Sequence, residues 1–347
     1  MIFRSITTLL LLFSVTACSN LAYYSQAVLG QMDLLSARRD FNTVYADESV
    51  SEEVKAKIKL AEEILAFAEF DIGLPVEDTF STYADIERPF VVWNVFAAKP
   101  YSIDLETFCF PIAGCVAYKG FFSKADASAF SQALENNGFE TYMGGVAAYS
   151  TLGWFSDPLL NTFILRSEAS LAALIFHELA HKILYVKDDT VFNESFAVTV
   201  ERYALEQWLA SRNQSQRYNQ YVQSQERQGS VIELILKSRV TLSEIYEMEE
   251  SEERSRKKEE VIQTLRGDYA TLRRGWGGDG LKGSEFQFWM ENDINNAKLG
   301  AIGAYQTWVG SLTILLEQNN SFEAFVEQVR RLEDMTKGER EAYLLGL

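Results

Sequence analysis

Histidine is almost absent from this chain, which has only two among its 347 residues. They lie four positions apart, at His177 and His181, and Glu178 directly follows the first. On a helix this spacing places both imidazoles on one face, where they can bind a single metal ion while Glu178 reaches its open side. The pattern His-Glu-x-x-His is the signature of zinc hydrolases. The alternative is a pair of histidines satisfied by hydrogen bonds on a half-buried helix face.

Basic residues are also scarce relative to acidic ones. The chain has 32 lysines and arginines against 49 aspartates and glutamates, a formal net charge of -17. This balance argues against binding of nucleic acid, because neutralising phosphates requires clustered positive side chains. An acidic surface could favour cationic substrates such as free N-terminal amines, or could serve solubility alone.

The lack of a third histidine restricts the metal site. Catalytic zinc usually takes three protein ligands and keeps one position for water, so the third ligand must be a carboxylate or a cysteine. Two glutamates follow closely, Glu194 and Glu201, in the segment NESFAVTVE.

HELAH followed by NESFAVTVE resembles the HELAH…NEGFA…E pattern of aminopeptidase N-like gluzincins. The whole chain resembles the putative aminopeptidase family of bacterial lipoproteins. The resemblance implies a peptidase with one Zn²⁺ per chain and makes Glu194 the third ligand. Asn193, next to it, is predicted to support the ligands without binding the metal. Twelve residues separate His181 from Glu194, fewer than in gluzincins, whereas the nineteen before Glu201 are close to the longer gluzincin interval. The residues of the motif therefore favour Glu194 as the third ligand, whereas the spacing favours Glu201.

Helix geometry favours Glu194. The first helix is predicted over about 167–185, and the turn-forming residues 187–190 end it. If the chain folds back there, Glu194 comes level with His181. Glu201 lies seven residues further, roughly 10 Å along the helix but on the same face. We therefore predict that Glu201 orients a ligand histidine; the alternative is an exposed helix carboxylate.

These residues predict metal-assisted amide hydrolysis. Zinc would activate a water, and Glu178 would take its proton and pass it to the departing amine. The developing oxyanion needs a further donor. Tyr305, after a stretch of small residues, is the preferred candidate and Tyr149 the alternative; either could instead be a packing residue.

A segment just before the metal helix could hold the substrate. Residues 144–155 are rich in small side chains, and Gly145, Ala148 and Tyr149 are predicted to lie on a strand that pairs with the peptide backbone. The alternative is an ordinary core strand with a glycine bulge.

The N-terminus predicts export and a lipid anchor. Arg4 precedes a short apolar run over 6–15, too short to span a bilayer, and the residues before Cys18 resemble a lipobox. Residues 1–17 are thus predicted to be a lipoprotein signal peptide and Cys18 the acylated first residue. By resemblance to Gram-negative lipoproteins, Ser19 favours the outer membrane, facing the periplasm. The alternative is an ordinary secretory signal.

The other two cysteines, Cys109 and Cys115, bracket a proline and a glycine that allow a tight turn. An oxidising periplasm permits a disulfide between them, and their spacing does not match common zinc sites. We predict a disulfide; free thiols are the alternative.

The predicted fold is α+β and helix-rich, zincin-like, with a small, mostly antiparallel sheet beside the HExxH helix and a helical C-terminal half. Residues 18–166 and 167–347 are expected to form one catalytic unit, with the second metal helix continuing toward Gln228. By resemblance the activity is that of an aminopeptidase. A periplasmic endopeptidase and a lipoprotein chaperone or assembly factor with little hydrolysis are the alternatives.

Overall fold

The structure is a computed structural model that describes residues 23–110, 114–148, 156–277, 285–302 and 307–347. Cys18, Tyr149 and Tyr305 lie outside the described residues. The described α-helices are α1 (23–36), α2 (Phe41–Ala46), α3 (Glu52–Phe67, continued by a π-helical turn over Ala68–Ile72), α4 (Lys124–Glu135), α5 (Glu168–Ile183), α6 (Thr190–Ser211), α7 (Ser215–Tyr246), α8 (Glu252–Gly275), α9 (Glu285–Glu291), α10 (Asn296–Gly300), α11 (Val309–Gln318), α12 (Phe322–Glu333) and α13 (Lys337–Leu345). Within these ranges, no helix is both long and apolar enough to cross a membrane.

The strands are short and form small sheets. They are β1 (Arg38–Asp40), β2 (Thr82–Ala84), β3 (Val92–Ala98), β4 (Phe108–Phe110), β5 (Gly114–Val116), β6 (Lys119–Phe121), β7 (Glu140–Val146) and β8 (Leu159–Leu160). One sheet has the order β1-β2-β8, another β6-β3-β7, and β4 pairs with β5. Every pairing is antiparallel except that of β2 with β8. The helix-rich α+β class with small antiparallel sheets is therefore confirmed.

The main hydrophobic core draws on both halves of the chain. It combines buried residues of α3, β2 and β8 with those of α5, α6, α11, α12 and α13. A second core lies between α7, α8, α9 and α10, and a smaller one lies under the β6-β3-β7 sheet. Helix α6 is buried on most sides, since it packs against α5, α7 and α11 at once. A helix apolar nearly all round is typical of such a central position.

Local capping fixes the turn between α5 and α6. The Ser167 hydroxyl accepts a hydrogen bond from the backbone N–H of Ser170 and begins α5. Asp188 adopts a left-handed backbone with φ 63° after α5 has ended. The Asp189 carboxylate then accepts from the Phe192 N–H and begins α6. These caps place the reversal where the sequence predicts it.

A buried ion pair holds the start of α6 in place. The Arg340 guanidinium of α13 is 2% exposed and lies 2.8 Å and 3.0 Å, through Nη2 and Nε, from Oδ2 of Asp189. Its Nη1 donates to the backbone carbonyls of Leu332 and Met335. The last helix of the chain therefore supports the turn that sets the position of Glu194, five residues after Asp189.

The second metal helix does not continue toward Gln228. Helix α6 ends at Ser211, and Asn213 has a left-handed backbone with φ 58° before α7 begins at Ser215. Asparagine tolerates this conformation better than most residues, which allows a sharp break. The prediction of one long helix is wrong here, because local polarity does not reveal where a tertiary fold reverses the chain.

Candidate metal centre

Helix α5 buries one face and presents its motif on the other. Leu171, Ile175, Phe176 and Leu179 pack into the main core. Because His177 and His181 are four residues apart, their rings lie next to each other on the remaining face, edge to face, with centroids 4.9 Å apart.

The carboxylate of Glu194 faces both imidazoles. Its Oε2 lies 3.3 Å from Nε2 of His177, and its Oε1 lies 3.8 Å from Nε2 of His181. Two ligands each about 2.0–2.2 Å from a tetrahedral zinc ion lie about 3.4 Å apart, close to these separations. Among the described residues, these three form the group of histidine, cysteine and acidic side chains that could hold a metal ion, with their ligand atoms within 4.8 Å of one another.

Glu201 occupies the other side of His177. Its Oε2 lies 3.0 Å from Nδ1 of His177, and its Oε1 accepts a hydrogen bond from the hydroxyl of Tyr221 on α7. A hydrogen bond to this carboxylate favours a proton on Nδ1, which leaves Nε2, on the side of Glu194, as the atom that would bind a metal ion. The Nδ1 atom of His181 is buried and has no hydrogen-bond partner within the described parts of the chain.

The charges around the imidazoles favour a cation. Burial lowers the pKa of His177, but hydrogen bonds with Glu194 and Glu201 outweigh that effect and raise the pKa to about 10. Burial and the positive charge of His177 lower the pKa of His181. Burial raises the pKa of Glu194, but the hydrogen bond with His177 and the charges of the imidazoles lower it overall. Two carboxylates beside buried imidazoles favour a positive charge between them. A protonated His177 or a divalent cation can supply that charge, so the donor set fits zinc.

Asn193 lies elsewhere than the sequence predicts. Its side chain donates to the backbone carbonyl of Val186 and accepts from the N–H of the same residue, both at 2.8 Å. It therefore fixes the loop between α5 and α6, not the ligands themselves. Asn193, predicted to support the ligands, therefore acts on them only through the turn that positions Glu194.

The predicted substrate segment lies at the end of an edge strand. Strand β7 pairs on one side with β3, and Gly145 faces Trp93 in the register. A Cβ atom on Gly145 would come within 2.4 Å of the Phe90 ring, so this glycine is required for packing. Ala148 follows the strand and packs against the main core. A role of this edge in holding substrate remains a prediction.

The predicted disulfide is present. Cys109 of β4 and Cys115 of β5 are directly paired in the hairpin register and joined by a disulfide bond. The bond closes the short loop between the two strands.

The sequence did not indicate a role for Tyr221, Tyr118 or Tyr185. Tyr221 contacts Glu201 from a helix that carries no recognisable motif. Tyr118 is 39% exposed; partial burial raises its pKa, and the charges of Tyr185 and Glu194 raise that pKa further. Nothing in the local sequence distinguishes these residues from the other tyrosines of the chain.

A cavity of about 730 Å³ opens beside His177 and Glu178, between α5 and α7. It is lined by Arg166, Ser167, Ser170, Ala173, Leu174, His177, Glu178, Glu201, Tyr221, Ser224, Gln225, Gln228 and Phe286. A cleft that contains the candidate base and a candidate ligand is the natural place for a substrate.

A family model described as putative aminopeptidase matches residues 22–344. The chain belongs to the putative aminopeptidase family. The match includes α5, α6, the cavity and the C-terminal helices, and membership indicates a peptidase that acts on peptide substrates. No curated protein and no solved structure matches the chain.

Proposed function

We propose that this member of the putative aminopeptidase family is a zinc-dependent aminopeptidase with a zincin-like catalytic arrangement. His177, His181 and Glu194 would hold one zinc ion. The observation that carries the proposal is the convergence of both Nε2 atoms on one carboxylate, at 3.3 Å and 3.8 Å, beside a cavity that also contains Glu178.

Each side chain of the site has a separate role in hydrolysis. When bound, zinc lowers the pKa of a water molecule and polarises the scissile carbonyl. Glu178 accepts the proton of the attacking water and delivers it to the departing amine. Glu201, supported by Tyr221, holds His177 in the orientation and tautomer that present Nε2. An aminopeptidase is favoured over an endopeptidase or a chaperone by the family and by the presence of a candidate base, which a purely structural zinc site does not need.

Removing the metal tests this proposal. Exhaustive chelation is expected to abolish hydrolysis of peptides with a free N-terminus, and one equivalent of zinc to restore it. Peptides with an acetylated N-terminus should remain intact. Liquid chromatography with mass detection follows the products. Hydrolysis that survives chelation would contradict a zinc enzyme, and internal cleavage of acetylated peptides would assign an endopeptidase instead.

The lipid anchor is a further part of the proposal. Residues 1–17 would be removed and Cys18 acylated, holding the enzyme at the outer membrane on the periplasmic side. Helix α1 supports this placement because it exposes Val28, Leu29 and Met32 on one face, each at least 58% accessible. Its opposite face packs on the β6 region, where Gly30 meets the Phe122 ring. An outward apolar face just after an acylated residue suits the headgroup boundary of a bilayer.

Mass spectrometry of the N-terminus and vesicle flotation test the anchor. We expect an acylated Cys18 and, in Cys18→Ala, a strongly reduced membrane retention that depends only on the exposed apolar face of α1. In that background, Leu29→Ser with Met32→Ser is expected to weaken flotation with phosphatidylethanolamine and phosphatidylglycerol vesicles about tenfold, since apolar burial drives it. Val240→Ser, which alters another exposed apolar residue, is the control. An unmodified Cys18, or flotation unchanged by the double substitution, would contradict the membrane role.

A further inference from the structure

The cavity beside the candidate metal ligands continues along α5 as a groove. Ser167, Ser170 and Leu174 precede His177 on one face of the helix, and all four line the cavity. Ser167 lies ten positions before His177, so the groove runs for about 15 Å at the helical rise. An extended peptide advances about 3.3 Å per residue, so this length accommodates about four to five residues.

The opposite wall of the groove carries polar side chains. Ser224, Gln225 and Gln228 of α7 line the cavity at helical spacing. None of the three forms a side-chain hydrogen bond with another described residue. Amide and hydroxyl groups can donate and accept, as a peptide backbone requires. Because these side chains are uncharged, the wall selects little among the side chains of the bound peptide.

The far end of the groove is positive. Arg166 lies there, and Nζ of Lys57 donates to the Arg166 backbone carbonyl at 2.5 Å. Neither cation has a carboxylate partner among the residues described. The nearby Arg212 and Arg217, by contrast, both pair with Glu168, at 2.9 Å and 3.0 Å. An uncompensated guanidinium in a chain of net charge -17 marks a place suited to an anion.

We propose that this groove binds the C-terminal part of short peptides and that Arg166 binds their α-carboxylate. The inference rests on the proposed peptidase function and deepens it by naming the substrate class. The cation at the far end fixes the direction of the peptide, because it attracts the terminal carboxylate and repels the terminal ammonium. The groove therefore holds the leaving-group side. Preferred substrates carry about four to five residues beyond the scissile bond and end in a free acid.

Matched peptides test the proposal on the zinc-loaded full chain. For a hexapeptide, kcat/KM is expected to be about tenfold higher for the free acid than for the C-terminal amide, mainly through KM, since a hydrogen bond to a charged group is lost. Arg166→Gln is expected to remove this preference. Arg212→Gln, a paired arginine that lines no part of the cavity, should keep it. Tripeptides are too short to reach Arg166, so the unsubstituted chain should hydrolyse their free acids and C-terminal amides with equal kcat/KM. Circular dichroism and zinc content report whether Arg166→Gln keeps its fold.

Measuring peptide affinity without turnover tests the carboxylate site independently of the proposed peptidase activity. Fluorescent hexapeptide acid and amide are titrated against the zinc-loaded Glu178→Gln chain, with and without Arg166→Gln, so that Kd is read without turnover. A tenfold tighter Kd for the acid that disappears with Arg166→Gln supports the carboxylate site even if no peptide is hydrolysed. Equal values for acid and amide, or a preference that survives Arg166→Gln, would overturn it.

Discussion

Replacing Glu178 by glutamine is expected to lower kcat about 10²–10⁴-fold while leaving one zinc ion per chain. Glutamine has nearly the same shape but cannot accept a proton from the attacking water. Because Glu178 is placed beside the ligands and not among them, zinc content should not change. Steady-state hydrolysis of a free-amine peptide and elemental analysis of the same preparation measure both quantities.

Glu206→Gln is the matched control for this substitution. Glu206 is an exposed carboxylate on α6, so its replacement should change neither kcat nor zinc content. A Glu178→Gln protein with turnover near that of the unsubstituted chain would remove Glu178 as the base. A protein that loses its zinc would make Glu178 a ligand instead.

Replacing Glu194 and Glu201 should affect zinc binding very differently. Glu194→Gln leaves two imidazoles as the ligand set, and we expect stoichiometric zinc binding to be lost. Glu201→Gln keeps all three ligands but weakens the support of His177, so zinc affinity should fall about 10–100-fold. Competition with a chromophoric chelator gives both affinities on one scale.

The order of the two effects decides which glutamate binds the metal. If Glu201→Gln abolished binding while Glu194→Gln merely weakened it, the longer interval from His181 would identify the ligand. Tyr221→Phe provides a graded control, because it removes only the hydroxyl that donates to Glu201. Its effect on zinc affinity should be smaller than that of Glu201→Gln.

Helices α5 and α6 could be predicted from sequence because their determinants are local. Ser167 and Asp189 cap α5 and α6 with their own side chains, and the observed α5 (Glu168–Ile183) lies within two residues of the predicted limits. The short turn then fixes which residue of α6 faces His181. Placing Glu194 near the histidines thus required only helix geometry and a correctly located reversal.

Features that depend on distant contacts were not predictable in this way. The reversal at Asn213 sends α7 back past α5, and this path brings Tyr221 to Glu201 and Gln225 to the cavity. No local pattern shows where such a helix passes its neighbours. Arg340 reaches Asp189 across 151 positions, so its support of the turn could be found only in the structure.

Asn193 illustrates a different difficulty. A residue adjacent to a ligand in sequence points about 100° away from it around a helix, so proximity in the motif does not imply contact with the metal. The structure directs this amide to the backbone of Val186. The sequence motif identified Asn193 as important for the site, but it did not show that its side chain contacts the turn.

Anomalous diffraction at the zinc edge, from crystals of the full chain grown with zinc, tests the metal site most directly. We expect one strong peak about 2.0–2.2 Å from Nε2 of His177, Nε2 of His181 and a carboxylate oxygen of Glu194. Glu201 should remain on Nδ1 of His177, outside the coordination sphere. A peak coordinated by Glu201 in place of Glu194, or no peak between the two histidines, would contradict the proposed centre.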